Sequence, residues 1–392
     1  MQYDVLIIGG GPGGAAAAVS LAQRGVKNVL LLDRDGFPRD KTCGSGLSPN
    51  AIAICDELGI GADLKRLSYP IMSVRVVTPG GRDMVLASDA AAVVCLRREF
   101  DNLLVERAQK LGVTLETPFL AQELIKENGR IVGVRSRDGK ERRARYVLVA
   151  DGAHSIFSTD PRPKRSISTL MGWWDDFDFV PGQLDMIFDK NVSPLYGWLF
   201  PESKTRVNIG ICIDGQDSHG NKTQKPLRAT FDRFLQDHYG DKLKKARQVG
   251  KLKGHPIVFT TMIGHCTAPG AIHLGEAARL THNATGEGIY HAMRSGSFAA
   301  EAVASILSGA SEEKAQSHYV WQQRKHFTTG FLGGWALRGL VQTPVLDWVA
   351  RVYNEPRVRK AVVKVLGSAL AGANVKDAAT KSSSATEASA TA

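Results

Sequence analysis

Apolar residues recur along the chain in two spacings, and the alternation between them predicts a mixed α/β architecture. Tyr3–Ile8 is apolar and β-prone, Gly9–Gly14 is a tight turn, and Ala15–Arg24 is an alanine-rich helix that ends at Gly25. Asn28–Leu32 is a second strand running into Asp33. Strand, turn, helix and strand form one βαβ unit, which requires a parallel sheet. Arg98–Leu111 carries Leu103, Leu104, Ala108 and Leu111 at helical spacing, with Gly112 as its stop. Arg130–Val134 and Arg145–Val149 read as strands, the latter running into Asp151-Gly152. Between about Gly172 and Cys266 the pattern switches to short alternating segments, such as Tyr196–Phe200 and Arg206–Ile213, which predict an antiparallel sheet. A strand near Ile272 then meets a second glycine-rich turn and a helix from Gly288 to about Leu307. Gly330–Gly367 reads as helices broken at Gly333-Gly334 and at Pro344. Lys376–Ala392, rich in Ala, Ser, Thr and Lys without a large apolar residue, is expected to be a disordered tail.

Composition narrows the class. Of 392 residues, 43% are hydrophobic and 23% charged, which excludes a disordered or fibrous chain and leaves material for a large core. The longest apolar runs, such as Ala90–Leu96, have only strand length, so no membrane-spanning helix is expected. Nor is a signal peptide, because the first strand runs straight into a glycine loop. Five scattered cysteines without Cys-x-x-Cys spacing argue against a zinc site or disulfide framework and point to a reducing cytoplasm. Subtracting 39 acids from 50 Lys and Arg leaves a formal charge of +11. Much of it falls in Trp321–Leu366, where Arg324, Lys325, Arg338, Arg351, Arg357, Arg359, Lys360 and Lys364 face only Asp347 and Glu355. Such a stretch suits an anionic lipid surface or a phosphorylated substrate; no nucleic-acid partner is expected.

Gly9, Gly11 and Gly14 form a G-x-G-x-x-G pattern. In such a loop the first glycine permits the tight turn and the second lets a pyrophosphate reach the backbone. The third lets helix and strand pack closely. The following helix presents free N–H groups and its positive dipole end to phosphate. Asp33, at the end of the next strand, accepts ribose hydroxyls, which favours FAD or NAD(H) over a 2′-phosphorylated nucleotide. Neither a Gly-x-Ser-x-Gly elbow nor a Walker loop occurs, so hydrolase and phosphotransferase classes have no support. His154, His265, His273, His282 and His291 lack metal-ligand spacing, and no metal is expected.

The glycine loop with Asp33 is followed in order by four further segments. They are Pro38-Arg39-Asp40-Lys41-Thr42-Cys43-Gly44-Ser45-Gly46-Leu47, Arg97-Arg98-Glu99-Phe100-Asp101, Asp151-Gly152-Ala153-His154-Ser155, and Gly275-Glu276-Ala277-Ala278 with Thr285-Gly286-Glu287-Gly288-Ile289. Tyr196-Gly197-Trp198-Leu199-Phe200-Pro201 and the Pro344-Val345-Leu346-Asp347 region add to them. Together these resemble the geranylgeranyl reductase family of FAD-dependent enzymes, within the larger group shared with para-hydroxybenzoate hydroxylase, from Tyr3 to about Gly367. The expected fold is α/β with mixed α+β character. A Rossmann-like FAD-binding domain is split between 1–171 and 267–310, an antiparallel-sheet substrate domain is inserted at 172–266, a helical region spans 311–372, and a tail spans 373–392.

The resemblance implies an FAD site built from Gly9, Gly11, Pro12, Gly13 and Gly14, with Asp33 and Arg34 toward the adenosine. Cys43 and Gly44 are implied near the isoalloxazine, with Arg97 reaching the flavin or its pyrophosphate, and Asp151 at the turn that lays the sheet on the cofactor. Gly275, Glu276, Gly286, Glu287, Gly288 and Ile289 form the second glycine turn, whose helix stabilises negative charge on reduced flavin. The chain departs from the family pattern at Glu276 (usually Asp), Arg279 (commonly Gly) and Asn283 (commonly Pro). Tyr196, Trp198 and Phe200 share one strand face and are implied to line an apolar substrate cavity. Cys43 is a candidate proton donor or polar wall. His282 and His291, flanking the flavin helix, are candidate acid–base groups.

The expected activity is reduction of prenyl carbon–carbon double bonds, or those of a related apolar substrate, by hydride transfer from reduced FAD. Two alternatives stand beside it: a flavin monooxygenase or halogenase acting on an aromatic compound, and a flavin sensor without turnover. Family halogenases typically show Trp-x-Trp-x-Ile-Pro, whereas this chain has Tyr196 first and Phe200 in place of Ile. A second nucleotide fingerprint is lacking, so NAD(P)H or another reductant is expected only transiently. Helical spacing of Val345, Trp348 and Val349 beside Arg351 leads to the expectation of a cytoplasmic protein, peripheral at the inner face of the membrane.

Overall fold

A computed structural model describes residues 3–215, 226–353, 355, 357 and 358. Strand β1 (Tyr3–Ile8), helix α1 (Pro12–Gln23) and strand β2 (Val29–Leu32) open the chain, followed by β3 (Gly46–Leu47), α2 (Pro49–Glu57) and α3 (Gly61–Leu67). A long hairpin, β4 (Tyr69–Val77) and β5 (Asp83–Val94), leads to α4 (Arg97–Lys110), β6 (Thr114–Glu116), β7 (Ala121–Glu127), β8 (Arg130–Ser136) and β9 (Glu141–Val149). Next come β10 (Arg165–Asp175), β11 (Gln183–Ile187), β12 (Gly197–Pro201), β13 (Val207–Asp214), α5 (Leu227–Leu243) and β14 (Arg247–Phe259). β15 (Thr267–Ala268), β16 (Ala271–His273), a 3₁₀ turn at Gly275–Ala278, α6 (Ile289–Leu307), α7 (Glu312–Val341) and α8 (Val345–Val352) complete it.

The first sheet is ordered β15-β16-β9-β1-β2-β6, with β16, β9, β1, β2 and β6 parallel. Its central strand is apolar on both faces because helices α1, α4 and α6 cover one side while Phe119, Phe157 and the β7–β8 hairpin cover the other. The carboxyl ends of β1, β9 and β16 run into Gly9, Ala150-Asp151 and Leu274-Gly275, so both glycine turns and the Asp151 turn meet at one edge, where ligands of open α/β sheets lie.

The second sheet is ordered β14-β10-β13-β12-β11-β4-β5-β3. Its later strands begin at Arg165 rather than Gly172, and it takes in β3, β4 and β5, outside the expected 172–266; β4 and β11 pair in parallel, so it is not wholly antiparallel. Arg75 breaks the apolar run of β4 and hides that strand in the sequence. Within the sheet its guanidinium pairs with Asp83 at 2.8 Å and Asp185 at 3.2 Å.

Helix α7 differs from expectation, running unbroken through Gly333-Gly334. A Cβ on Gly334 would lie 2.2 Å from Asn283 Oδ1 and 2.7 Å from the His282 ring, whereas one on Gly333 would meet open space. Gly334 thus marks a close approach rather than a break; α7 ends at Val341, and Pro344 is the N-cap of α8. The expected tail at 373–392 and most of the helical region beyond Tyr353 lie outside the described residues.

Gly334→Val should therefore destabilise the protein by about 1–3 kcal/mol through overpacking. Gly333→Ala should be neutral or stabilising by up to ~1 kcal/mol through helix propensity. Urea midpoints decide: equal destabilisation by both would restore a broken helix.

Candidate functional site

Packing within the protein accounts for the outer glycines of the first loop. Gly9 has φ +101°, and a Cβ there would lie 2.5 Å from Ala150 O; a Cβ on Gly14 would lie 1.9 Å from Gly9 O. Gly11 differs, because among the described residues beyond its chain neighbours the one atom within 4 Å of its Cβ position is Arg39 Nη2, at 3.7 Å. Its bareness is explained by a group approaching the backbone from outside. Gly11 also begins α1 without a side-chain cap, and Pro12 contributes no N–H, so the next N–H groups are open to an anion.

Asp33 is buried and pre-oriented: Oδ2 accepts the Gly10 N–H at 2.7 Å and Oδ1 accepts the Asp35 N–H at 3.0 Å. Arg39 bridges Asp33 (3.6 Å) and Asp101 (3.2 Å) and lies over the Phe37 ring. Its Nε is buried without a partner. This residue, beside the pyrophosphate loop, is missing from the sequence-based site. Its only signal there is a cation in a Gly/Pro-rich loop. Arg34, expected toward the adenosine, pairs with Asp35 at the surface (3.2 Å, side chain 62% exposed). Arg97 grips Asp101 through Nε at 2.6 Å and Nη2 at 2.7 Å. Burial works to discharge its guanidinium, but Asp101 outweighs it and raises the pKa.

The second glycine turn lies against the first. A Cβ on Gly296 would be 2.3 Å from Gly13 O, and one on Gly13 would be 2.7 Å from Leu274. That crossing brings the N-terminus of α6, which begins after Gly288 without a side-chain cap, alongside that of α1. Gly275 and Gly286 take φ of +56° and +68°, conformations glycine adopts without cost. Asp151 follows β9 beside Gly9; burial pushes its carboxyl up to about 6, and Oδ1 is buried without a partner. The open face of Gly11, two uncapped helix ends, the oriented Asp33 carboxylate and the unpartnered Arg39 and Asp151 atoms fit FAD. Among them, Gly11 to Gly14 and Arg39 would hold its pyrophosphate, and Asp33 its ribose.

Burial pushes the carboxyls of Glu276 and Glu287 up to about 7. Glu276 Oε1 accepts the Val258 N–H at 2.8 Å, tying the turn to β14, with Lys41 and Arg97 opposing the rise. The other two departures turn elsewhere. Arg279, in the left-handed region at φ +59°, donates to the carbonyls of Arg162 and Asp160 at 2.8 and 3.0 Å. Asn283 donates to Phe331 O of α7 at 3.1 Å.

His282 is not arranged as an acid. Nε2 lies 3.0 Å from Gly330 O, Nδ1 accepts the Thr285 N–H at 3.1 Å, and burial pushes the ring down to about 4. It is a neutral staple between the turn and α7. His291, pushed down to about 3 by burial and then by His282, donates from Nδ1 to Glu287 O at 2.9 Å.

Tyr196, Trp198 and Phe200 form a continuous row, with ring centroids 6.3 and 6.2 Å apart. Tyr196 donates to Thr285 O at 2.5 Å, fastening the row to the second glycine turn, and Trp198 donates to Asn208 Oδ1 at 2.7 Å over the bare Gly210. The Cys43 loop lies on this row, since a Cβ on Gly44 would meet Phe200 at 3.1 Å and Trp198 Nε1 at 3.3 Å. Cys43 Sγ accepts the Ser45 N–H at 3.3 Å and faces the Arg97 guanidinium. Behind it, Lys41 Nζ lies 3.0 Å from His255 Nε2; burial and then Arg97 lower the lysine pKa, while burial and then Lys41 push the histidine to about 3. Cys43, Arg97, Tyr196 and Trp198 therefore gather at one place beside the glycine turns.

Gly11→Val should leave the fold intact yet abolish retention of FAD, because only the approaching group occupies that space. A yellow, flavin-loaded variant would sink the assignment. For His282 the unfolded ring binds its proton near 6.5 and the folded ring only near 4, so this ring's contribution to stability falls as pH drops through that window, by up to about 3 kcal/mol. His282→Asn should flatten that fall, as urea midpoints compared at pH ~7 and ~4.5 would show; an unchanged slope would mean another group is responsible.

The profile of the FAD binding domain family matches residues 2–181, and that of the geranylgeranyl reductase catalytic domain matches residues 171–255. The geranylgeranyl diphosphate reductase of Rhodobacter capsulatus is 32% identical over 325 residues, 78% of this chain and 76% of that protein. The digeranylgeranylglycerophospholipid reductase of Thermoplasma acidophilum is 29% identical over 388 residues, 94% of this chain and 96% of its own length. The crystal structure of a geranylgeranyl bacteriochlorophyll reductase-like protein from Thermoplasma acidophilum superposes with a TM-score of 0.80 at 26% identity, covering 94% of this chain and 98% of that one. With the flavin site laid out as above, this chain belongs to the geranylgeranyl reductase family of FAD-dependent oxidoreductases.

Proposed function

We propose that the protein reduces carbon–carbon double bonds of a prenyl chain borne on an anionic head group, such as a diphosphate or a glycerophospholipid, at a membrane surface. The names of the two relatives support these head groups. Bound FAD, once reduced by NAD(P)H or another transient donor, supplies the hydride. The observation that carries the reading is the Tyr196-Trp198-Phe200 row, an apolar wall fastened at one end to the second glycine turn and overlaid by the Cys43 loop. A long chain lying on that wall would be desolvated and held in one orientation. Trp198 is anchored through Asn208 and acts as a rigid part of the wall. Cys43 Sγ would hold the proton taken by the second alkene carbon, with Arg97 beside it to stabilise the thiolate left behind.

The test is anaerobic. Reduced protein mixed with geranylgeranyl diphosphate should regain its oxidised flavin absorbance without oxygen. Cys43→Ala should slow this by ~10²-fold or more with FAD content unchanged, and Cys43→Ser by less. Re-oxidation that requires oxygen and an aromatic compound would favour oxygenation instead.

A further inference from the structure

We infer that the outer face of the corner between α7 and α8 docks on an anionic phospholipid bilayer, an inference that rests on the lipid-acting reading above. Leu332, Trp335 and Leu340 on the last turns of α7, and Val345 and Trp348 on α8, are exposed, with Trp335 at 56% and Trp348 at 61%. The inner faces of the same helices are already committed. Leu337, Val341 and Leu346 are buried in the cluster that contains Tyr196 and Trp198. A surface helix needs one apolar face, and this pair has two.

The corner is held from within. Asp347 accepts the Gly80 N–H at 2.9 Å and the Thr78 hydroxyl; Arg338 pairs with Asp214 and donates to Asn283 O at 2.9 Å. With those two charges engaged internally, Arg351 on α8 is exposed next to this face, and Glu355 and Arg357 after the helix are exposed as well. Tryptophans flanked by cations suit the interface of an anionic bilayer, where the rings sit at head-group depth and each cation adds attraction. A second copy of the chain is a poorer occupant, because a two-fold contact would set this cationic face against itself. Docked this way, the aromatic row on β12 would lie one helix layer from the lipid that carries a prenylated substrate.

The FAD-loaded full chain is tested on vesicles of phosphatidylcholine alone or mixed with phosphatidylglycerol, beside a Trp335→Ser/Trp348→Ser variant. The wild type should co-sediment with the anionic vesicles, show tryptophan quenching by acyl-brominated lipid, and release at ~0.5 M salt. The variant should lose about tenfold or more in vesicle affinity while keeping its FAD and its turnover of soluble geranylgeranyl diphosphate. Undiminished binding by the variant, equal binding of the wild type to neutral and anionic vesicles, or a wild-type dimer that the variant abolishes would overturn the inference. Vesicle binding lost in the variant, with no prenyl turnover by the wild type, would uphold this face and count against the proposed reaction alone.

Discussion

Helices α1 and α6 cross where neither can carry a side chain. Gly296 lies so near Gly13 that a Cβ would come within 2.3 Å of the carbonyl oxygen, and a Cβ on Gly13 would lie 3.2 Å from Ala292 O of α6 and 2.7 Å from the tip of Leu274. The closeness sets two uncapped helix N-termini side by side at the carboxyl edge of the parallel sheet. Two positive dipole ends brought together repel one another, and an anion between them converts that repulsion into attraction. The fold therefore keeps an electrostatic tension that an anionic cofactor relieves, and the other features of the site, from Arg39 to Asp151, are arranged around that edge.

The turn between the 3₁₀ segment and α6 is held from three directions. Tyr196 grips Thr285 O from the second sheet, His282 grips Gly330 O of α7, and His291 grips Glu287 O from within α6. Arg338 adds a hold on Asn283 O. Backbone groups held by so many contacts have a fixed orientation in the fold, the arrangement that preorganised electrostatic stabilisation requires. The same contacts couple the apolar wall to the second glycine turn, because the wall's first ring is bonded to the turn itself.

The parallel βαβ start, the period-two run at Tyr196–Phe200 and the helix after Gly288 were legible because apolar spacing and glycine position agree there. What escaped was decided by partners distant in sequence. Arg75 sits within a strand only because Asp83 and Asp185 receive it, and the glycine pair in α7 reads as a break until Asn283 is placed against Gly334. Arg34 and Arg39 look interchangeable as cations of one loop. Only the structure shows that one turns to Asp35 at the surface and the other to Asp33 and Asp101 beneath Gly11. His282, close to the flavin helix in sequence, resembles an acid until both its nitrogens are seen to be satisfied by backbone.

The three departures from the family pattern likewise separate once their side chains are traced. Arg279 occupies a left-handed position that glycine fills more cheaply, and its guanidinium offsets that cost by gathering the carbonyls of the 160–163 loop. Asn283 exchanges proline's rigidity for a hydrogen bond to α7. Only Glu276 faces the charges near the cofactor, and its extra methylene lets the carboxyl reach the Val258 N–H on β14. With burial lifting it to about 7, it carries less than a full negative charge at neutral pH. Lys41 and Arg97, whose charges oppose that rise, also act on Cys43 or its surroundings, so the second glycine turn and the thiol share one pair of cations. A substitution that looks at first like damage to a flavin contact thus ties the second glycine turn to β14.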